Sequence, residues 1–309
     1  MIKQFSIIFP FVYILTLTGC SHSAQHASST VQSDKKPNHI VIVIEENKGF
    51  DQIVGNPNAP YINSLIKNGL LFTDAHGVWH PSQPNYLALF SGSRQGVKDD
   101  HCLKKVTPYK TSNLGHELLS NGFTFAGYSE TMPKMGFTGC GAEKSRYPNG
   151  SPLYARKHNP WVDWQGDSPT GLPDSVNKTF KAFPSDFSKL PDVAFVVPNE
   201  DDEMHNGPDS LSIPRGDHWL KKHMSGYIKW AKNHNSLFIL TYDEDEGTKA
   251  NHMPTIFVGP MVKDGRYNKK ITHYNVLRTI EKLYGLPHAG PANAKHITGI
   301  WTWSAGKSK

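Results

Sequence analysis

The stretch IVIVIEENKGFD, residues 40–51, decides how the rest of the chain is read. Ile40 to Ile44 form an unbroken run of β-branched apolar residues. Such a run is short for a buried helix and suits a strand covered on both faces, as inside a parallel sheet. Two carboxylates and an amide, Glu45, Glu46 and Asn47, follow without a spacer. Two readings are open at this point. They are surface residues at the start of the next helix, or hard oxygen ligands at the carboxyl end of a strand, where open parallel sheets bind ligands.

Outward from this run the chain alternates. Strands are expected over 39–44, 70–78, 123–130, 192–198, 236–242 and 253–260, and helices over 59–69, 80–93, 112–122, 217–233 and 273–286. Gly69, Gly122 and Gly285 are helix stops. Alternation of this kind predicts an α/β fold, a three-layer αβα sandwich on a mostly parallel central sheet. Residues 130–185 are rich in Gly, Pro and aromatics and have no clean period, so they read as an inserted loop or cap within a domain spanning 38–309.

A chain of 309 residues suits one large α/β domain. With 37% hydrophobic residues, 26 Gly and 22 Pro, it reads as a soluble enzyme with long loops, not a coiled coil or a disordered tail. The formal charge of +6 favours anionic partners, but no basic run is dense enough to suggest nucleic acid.

The N-terminus MIKQFSIIFPFVYILTLTGC carries Lys3, an apolar stretch and then Leu17-Thr18-Gly19-Cys20. This is a secretory signal over residues 1–19. LTGC resembles a bacterial lipobox, which implies cleavage before Cys20 and lipid attachment to it. Residues 20–37 then form a lipidated polar tether, and the product is an exported lipoprotein anchored in a membrane and facing the periplasm or the cell exterior. The other two cysteines, Cys102 and Cys140, either pair as a disulfide in that compartment or stay free.

Three expected strands run into acids: the first into Glu45-Glu46-Asn47, another into NEDDEMH (199–205), a third into DEDEG (243–247). Carboxylates gathered at one sheet edge repel unless a cation lies between them, and oxygen donors suit hard divalent ions. DEDEG alone would equally suit a solvated turn. In HPSQPNYLALFSG (80–92), Ser82 sits between Pro81 and Pro84, just before an apolar helix. A helix start offers N–H groups and a positive dipole end to a phosphate, and a Ser there becomes a nucleophile when a cation lowers its pKa. The same Ser is also a common N-cap.

Taken in order, IEENKGFD, HPSQPNY, PNEDDEMH and TYDEDEG resemble the bacterial phosphoesterase family of acid phosphatases and metal-dependent phospholipases C, within the alkaline phosphatase superfamily. The likeness covers nearly all of residues 38–290 and is strongest to secreted acid phosphatases of the phosphoinositide-phosphatase type. It implies that Glu46, Asn47, Asp243 and Glu244 hold one divalent ion (Mg, Ca, Mn or Zn), with Ser82 as nucleophile and His205 as proton donor. Asp201 and Asp202 would orient His205 or add ligands. His252 would contact substrate, His80 would either reach the site or cap the turn, and Asn85 would brace the turn more than touch substrate. The implied function is a metal-dependent acid phosphatase that cleaves phosphate monoesters, such as phosphoinositides or nucleotides, through a phosphoserine. A phospholipase C-like phosphodiesterase and a non-enzymatic anion-binding lipoprotein are the alternatives.

Overall fold

The run Ile40–Glu45 forms strand β1, and every residue of it is buried. Its side chains alternate between two cores. Ile40, Ile42 and Ile44 enter one and Val41 and Val43 the other, as the period of two in a strand dictates. The computed structural model describes Met1 and residues 36–303. All of the signal peptide after Met1, Cys20 and all but the last two residues of the tether lie outside the described residues. At Lys36 the chain is already part of the fold, with Nζ 3.3 Å from Asp192.

β1 lies inside an eight-stranded sheet of order β11-β2-β10-β9-β1-β8-β4-β7. The other strands are β2 (Leu70–Phe72), β4 (Phe125–Ser129), β7 (Asn177–Thr179), β8 (Val193–Val197), β9 (Leu237–Tyr242), β10 (Thr255–Val258) and β11 (Gly265–Tyr267). All neighbours pair in parallel except β10, which runs against both β9 and β2. Two small pairs stand apart: β3 (Ala75–His76) with β12 (Ile271–Thr272), and β5 (Gly141–Ala142) with β6 (Tyr154–Ala155).

One face of the sheet packs on α3 (Gln83–Ser91), α4 (Leu114–Ser120) and α6 (His273–Tyr284), whose apolar residues share a core with Ile40, Ile42 and Ile44. The opposite face packs on the one-turn α1 (Phe50–Ile53), on α2 (Pro60–Lys67) and on α5 (Asp209–Ala231). This is the expected three-layer sandwich. None of the described helices is long and apolar enough to cross a membrane.

Two element boundaries differ from expectation. The strand expected over 70–78 breaks after Phe72, and Ala75–His76 pairs elsewhere. Helix α5 begins at Asp209, not at 217, because Pro214 and Gly216 in its early turns disguise the pattern. Gly216 is needed for packing: a Cβ there would come within 2.5 Å of the Met204 side chain.

Residues 130–185 are not a detached cap. They supply the edge strand β7 and the fully buried Trp161 and Trp164. Trp161 lies flat against β4, where a Cβ on Gly127 would come within 2.0 Å of its ring. Its Nε1 donates to Asn177 at 2.8 Å, and a buried ion pair joins Arg156 to Asp163 at 2.8 Å. The segment lacks a period because its order comes from these aromatic and polar anchors and not from regular backbone.

Candidate active site

Seven of the eight strands point their carboxyl ends to one edge, and three of these ends supply acids. β1 delivers Glu46 and Asn47, β9 delivers Asp243 and Glu244, and the turn after β8 delivers Glu200 and Glu203. Strand alternation separates the first pair. Glu46 follows Ile44 onto the α3 side, whereas Glu45 goes to the α5 side, buried and with neither oxygen partnered. Burial, reinforced by the charges of Asp202 and Asp217, pushes the Glu45 carboxyl well up, as suits a neutral acid outside the site.

Ser82 immediately precedes α3. Its own backbone is already helical (φ −53°, ψ −56°) and its side chain caps nothing. Instead Oγ lies 3.0 Å from Oε2 of Glu46 and 3.2 Å from Oε1 of Glu244. The capping role falls to Asp100, which accepts from the Gln83 amide at 2.9 Å. Pro84 has no N–H, and the Asn85 amide donates to the Ser82 carbonyl at 2.9 Å. The expected cradle of free amides at the helix start is therefore not present at positions 83–85.

Asn47 holds a left-handed backbone (φ 50°), which Asn tolerates, and its amide N–H donates to Asp243 Oδ1 at 3.1 Å. Its side-chain amide meets Glu46 Oε2 and Glu244 Oε1 at 3.2 and 3.0 Å with its oxygen turned inward, facing acceptors only. Turned over, the same amide would donate to both. The oxygens of Ser82, Asn47, Glu46 and Glu244 thus gather at spacings of 3.0 to 3.2 Å. Such edges match neighbouring ligands of a six-coordinate ion with metal–oxygen bonds of about 2.1–2.3 Å, the range of small divalent cations. Asp243 Oδ2 is buried beside them without a partner. The residues present fit a divalent cation.

The electrostatics agree. Burial, with the charge of Asp243, pushes Glu46 well up. Burial and the neighbouring carboxylate raise Asp243 to about 8, through Glu244, and Glu244 to about 9, through Glu46. Three buried carboxylates this close stay ionised together only beside positive charge.

Four groups missing from the sequence reading complete the site. His158, from the 130–185 segment, is buried between two acids, with Nε2 3.0 Å from Glu46 Oε1 and Nδ1 2.8 Å from Glu203 Oε1. Ligand atoms of Glu46, His158 and Glu203 all lie within 4.8 Å of one another. Lys157 reaches Asp100 at 3.0 Å and Glu200 at 3.9 Å. Burial alone would lower the lysine, but Glu200, Glu46 and Asp100 more than reverse this and keep it charged. Glu200 and Glu203 stand in the quoted NEDDEMH. The chain turns helically there, with the amides of Asp202 and Glu203 both reaching the Asn199 carbonyl, so residues three apart share a face. That spacing was the available signal. For His158 the only signal was a Lys-His pair in an aperiodic stretch.

The remaining expected residues divide. His205 Nδ1 pairs with Glu200 Oε2 at 2.8 Å, and neither Asp201 nor Asp202 orients it. Burial would lower His205, yet the hydrogen bond and charge of Glu200 outweigh it and raise its proton affinity. Asp201 instead binds Ser145 at 2.6 Å and Arg146 at 2.7 Å, tying down the 130–185 segment, and Asp202 accepts from Asn199 at 2.8 Å. His80 grips Glu244 Oε2 through Nδ1 at 2.5 Å and the Thr248 carbonyl through Nε2 at 3.0 Å. Asn85 is not available to substrate: its amide bonds the backbone of Val78, Trp79 and Pro81. His252 also lies outside the cluster, stacked between Phe50 and His76 with Nε2 on the Thr73 carbonyl. Cys102 and Cys140 are bonded, Cα to Cα 5.7 Å.

A model of the Phosphoesterase family matches residues 56–287. The chain belongs to the phosphoesterase family. This phosphoesterase is 47% identical over 266 residues to a phosphatidylinositol-3-phosphatase of Mycobacterium tuberculosis, covering 85% of this chain and 82% of that one. It is 28% identical to a probable acid phosphatase of Kluyveromyces lactis, covering 84% of this chain and 63% of that one. Among solved structures, a Vibrio parahaemolyticus protein in the alkaline phosphatase superfamily superposes with a TM-score of 0.59 at 13% identity, over 84% of this chain and 69% of that one. The phosphonate monoester hydrolase of Agrobacterium radiobacter gives 0.54 at 12%, over 85% and 76%. These last two show a shared fold. The phosphoesterase is an enzyme, a phosphoric ester hydrolase, which removes the non-enzymatic binding protein from the readings.

Proposed function

We propose that this phosphoesterase is a divalent-cation-dependent acid phosphatase that cleaves phosphate monoesters through a phosphoserine on Ser82. The observation that carries the reading is the hydroxyl of Ser82 held between Glu46 Oε2 and Glu244 Oε1 at 3.0 and 3.2 Å. Glu46, Asn47, Asp243 and Glu244 would hold the cation, with His158 and Glu203 behind Glu46. The bound cation would favour the Ser82 alkoxide and neutralise charge on the phosphoryl group.

The chain's own groups do the rest. One of the two carboxylates beside Oγ, Glu46 or Glu244, takes the single hydroxyl proton and returns it to Oγ when the phosphoserine is hydrolysed, and the pair aims Oγ at phosphorus. Lys157 offers a charged donor to a phosphoryl oxygen from between Asp100 and Glu200. His205, kept protonated by Glu200, passes a proton to the leaving alcohol, and its neutral form then activates the water that hydrolyses the phosphoserine. A protonated His205 is favoured below neutral pH, consistent with an acid phosphatase.

The named relative makes a phosphoinositide headgroup a candidate substrate, alongside phosphorylated small molecules. Export and an N-terminal lipid on Cys20 would put the enzyme at a membrane surface outside the cytoplasm. The test is Ser82→Ala assayed on 4-nitrophenyl phosphate, with chelator and metal add-back for the native enzyme. Turnover should fall by about three orders of magnitude or more in the variant. A variant with near-native turnover, or a native enzyme indifferent to chelator, would sink the reading. Faster cleavage of a choline phosphodiester than of the monoester would indicate a phosphodiesterase instead.

A further inference from the structure

A crevice of about 620 Å³ opens beside the acidic cluster, lined by Trp79, His80, Lys249, Lys270, Thr272 and Tyr274 among others. That volume falls within the range of about 300–1,000 Å³ typical of small-molecule sites. His80 joins the crevice to the chemistry. Its Nδ1 is 2.5 Å from Glu244 Oε2, and the other oxygen of Glu244 is 3.2 Å from Ser82 Oγ. The crevice is therefore two side-chain contacts from the nucleophile.

Its charge is positive. Lys249 and Lys270 are exposed on its lining. Behind Trp79, the Arg94 guanidinium stacks on the indole at 3.8 Å, and its Nη1 is buried with no partner. Two acids nearby have partners of their own, though Asp245 Oδ1 also lies 3.4 Å from Nε2 of His80 on the lining. Asp245 is buried and accepts from the amides of Gly247, Thr248 and His252 at 2.9, 2.8 and 3.1 Å. Asp74 holds His76 at 2.7 Å. The crevice also takes in the start of α6, whose dipole adds a positive end. None of these groups serves the reaction at Ser82.

We propose that this crevice is a substrate subsite for a second anionic phosphate group, held by Lys249 and Lys270 while the scissile phosphate sits at Ser82. The inference rests on the phosphatase reading and deepens it. Its ligand is an organic phosphate bearing two phosphate groups, with the ring or chain between them lying along Trp79 and His80. Such an arrangement converts remote binding into selectivity, because only a two-phosphate substrate engages both places.

The test compares native enzyme with Lys249→Ala/Lys270→Ala and Lys249→Glu/Lys270→Glu double variants, each checked for an unchanged melting temperature. Three substrates are used: 4-nitrophenyl phosphate, inositol 1,3-bisphosphate, and a short-chain phosphatidylinositol 3-phosphate whose second phosphate is a diester. The ratio of kcat/KM for a two-phosphate substrate to that for 4-nitrophenyl phosphate should fall about tenfold in the Ala variant, mainly through KM, and further in the Glu variant. A fall confined to the bisphosphate or to the lipid headgroup would identify which source the subsite serves. An unchanged ratio, or an equal loss on all three, would overturn the subsite. A native enzyme that cleaves none of the three would instead overturn the phosphatase reading, and the subsite with it.

Discussion

Nε2 of His158 lies 3.0 Å from Oε1 of Glu46, with both side chains buried. The other ring nitrogen reaches Glu203 at 2.8 Å, so the imidazole fixes how Glu46 presents its second oxygen to Ser82. Partners that orient a metal ligand in this way typically carry 10–100-fold in metal affinity or activity, roughly. His158→Ala is expected to lower both kcat and the cation's stabilising effect by that order. Melting temperature titrated against metal concentration reads the second quantity. A variant that titrates like the native protein would remove His158 from the cation site.

In the proposed mechanism, Glu200 should set the alkaline limb of the pH profile. It raises the proton affinity of His205 above the ordinary value for histidine, and the acid form of the ring is the one that protonates a leaving alcohol. Turnover should therefore fall as pH rises through the raised value. In Glu200→Gln the hydrogen bond and charge weaken, so the limb should move to lower pH. Superimposable profiles of kcat against pH for the two proteins would contradict this coupling.

The cation and pH should act on stability in opposite senses. Without metal, burial and mutual repulsion hold Asp243 at about 8 and Glu244 at about 9. Both lie above their unfolded values of about 3.9 and 4.3. A group with a raised folded pKa contributes stability that is full below its unfolded value and lost as pH rises through the folded one. The metal-free protein should accordingly lose melting temperature between pH 5 and 9. Cation binding needs both carboxylates ionised, so added metal should raise the melting temperature more at pH 8 than at pH 5. A cation effect that shrinks with rising pH would count against these ligands.

The Cys102–Cys140 bond closes a loop of 38 residues. In the chain-entropy description that constraint is worth about 4 kcal/mol. It also anchors the segment next to Asp100, which caps α3 and holds Lys157. The Cys102→Ser/Cys140→Ser variant should melt lower and show a reduced kcat on 4-nitrophenyl phosphate. Loss of stability with kcat untouched would confine the bond to a structural role.

Much of the fold was legible in the order of residues, and the reason differs by element. The run Ile40–Ile44 reads as a doubly covered strand because its neighbours on both faces need only be apolar. Helix α6 reads correctly from Thr272 to Gly285 because both ends carry local chemistry, an N-cap box with Asn275 and a left-handed glycine. Helix α5 hid its first turns because Pro214 and Gly216 answer to tertiary packing, not local propensity. The segment 130–185, read as an inserted loop or cap, did not show how it is anchored, because aromatic anchors such as Trp161 have no period.

By itself, the sequence determined the sandwich and set Glu46, Asn47, Asp243 and Glu244 at the carboxyl ends of two strands, which parallel pairing brings to one edge, while a solvated turn stayed open for Asp243 and Glu244. Only the tertiary structure decided the second half of the site. His158 and Lys157 arrive from an aperiodic segment, Glu200 displaces two neighbouring aspartates as the partner of His205, and His252 turns away into stacking contacts. The physical reason is one of range. Strand and helix patterns are written within a few residues, whereas the contacts of Lys157, His158 and His252 join positions 43 to 202 residues apart and depend on which side chains the completed fold leaves facing each other.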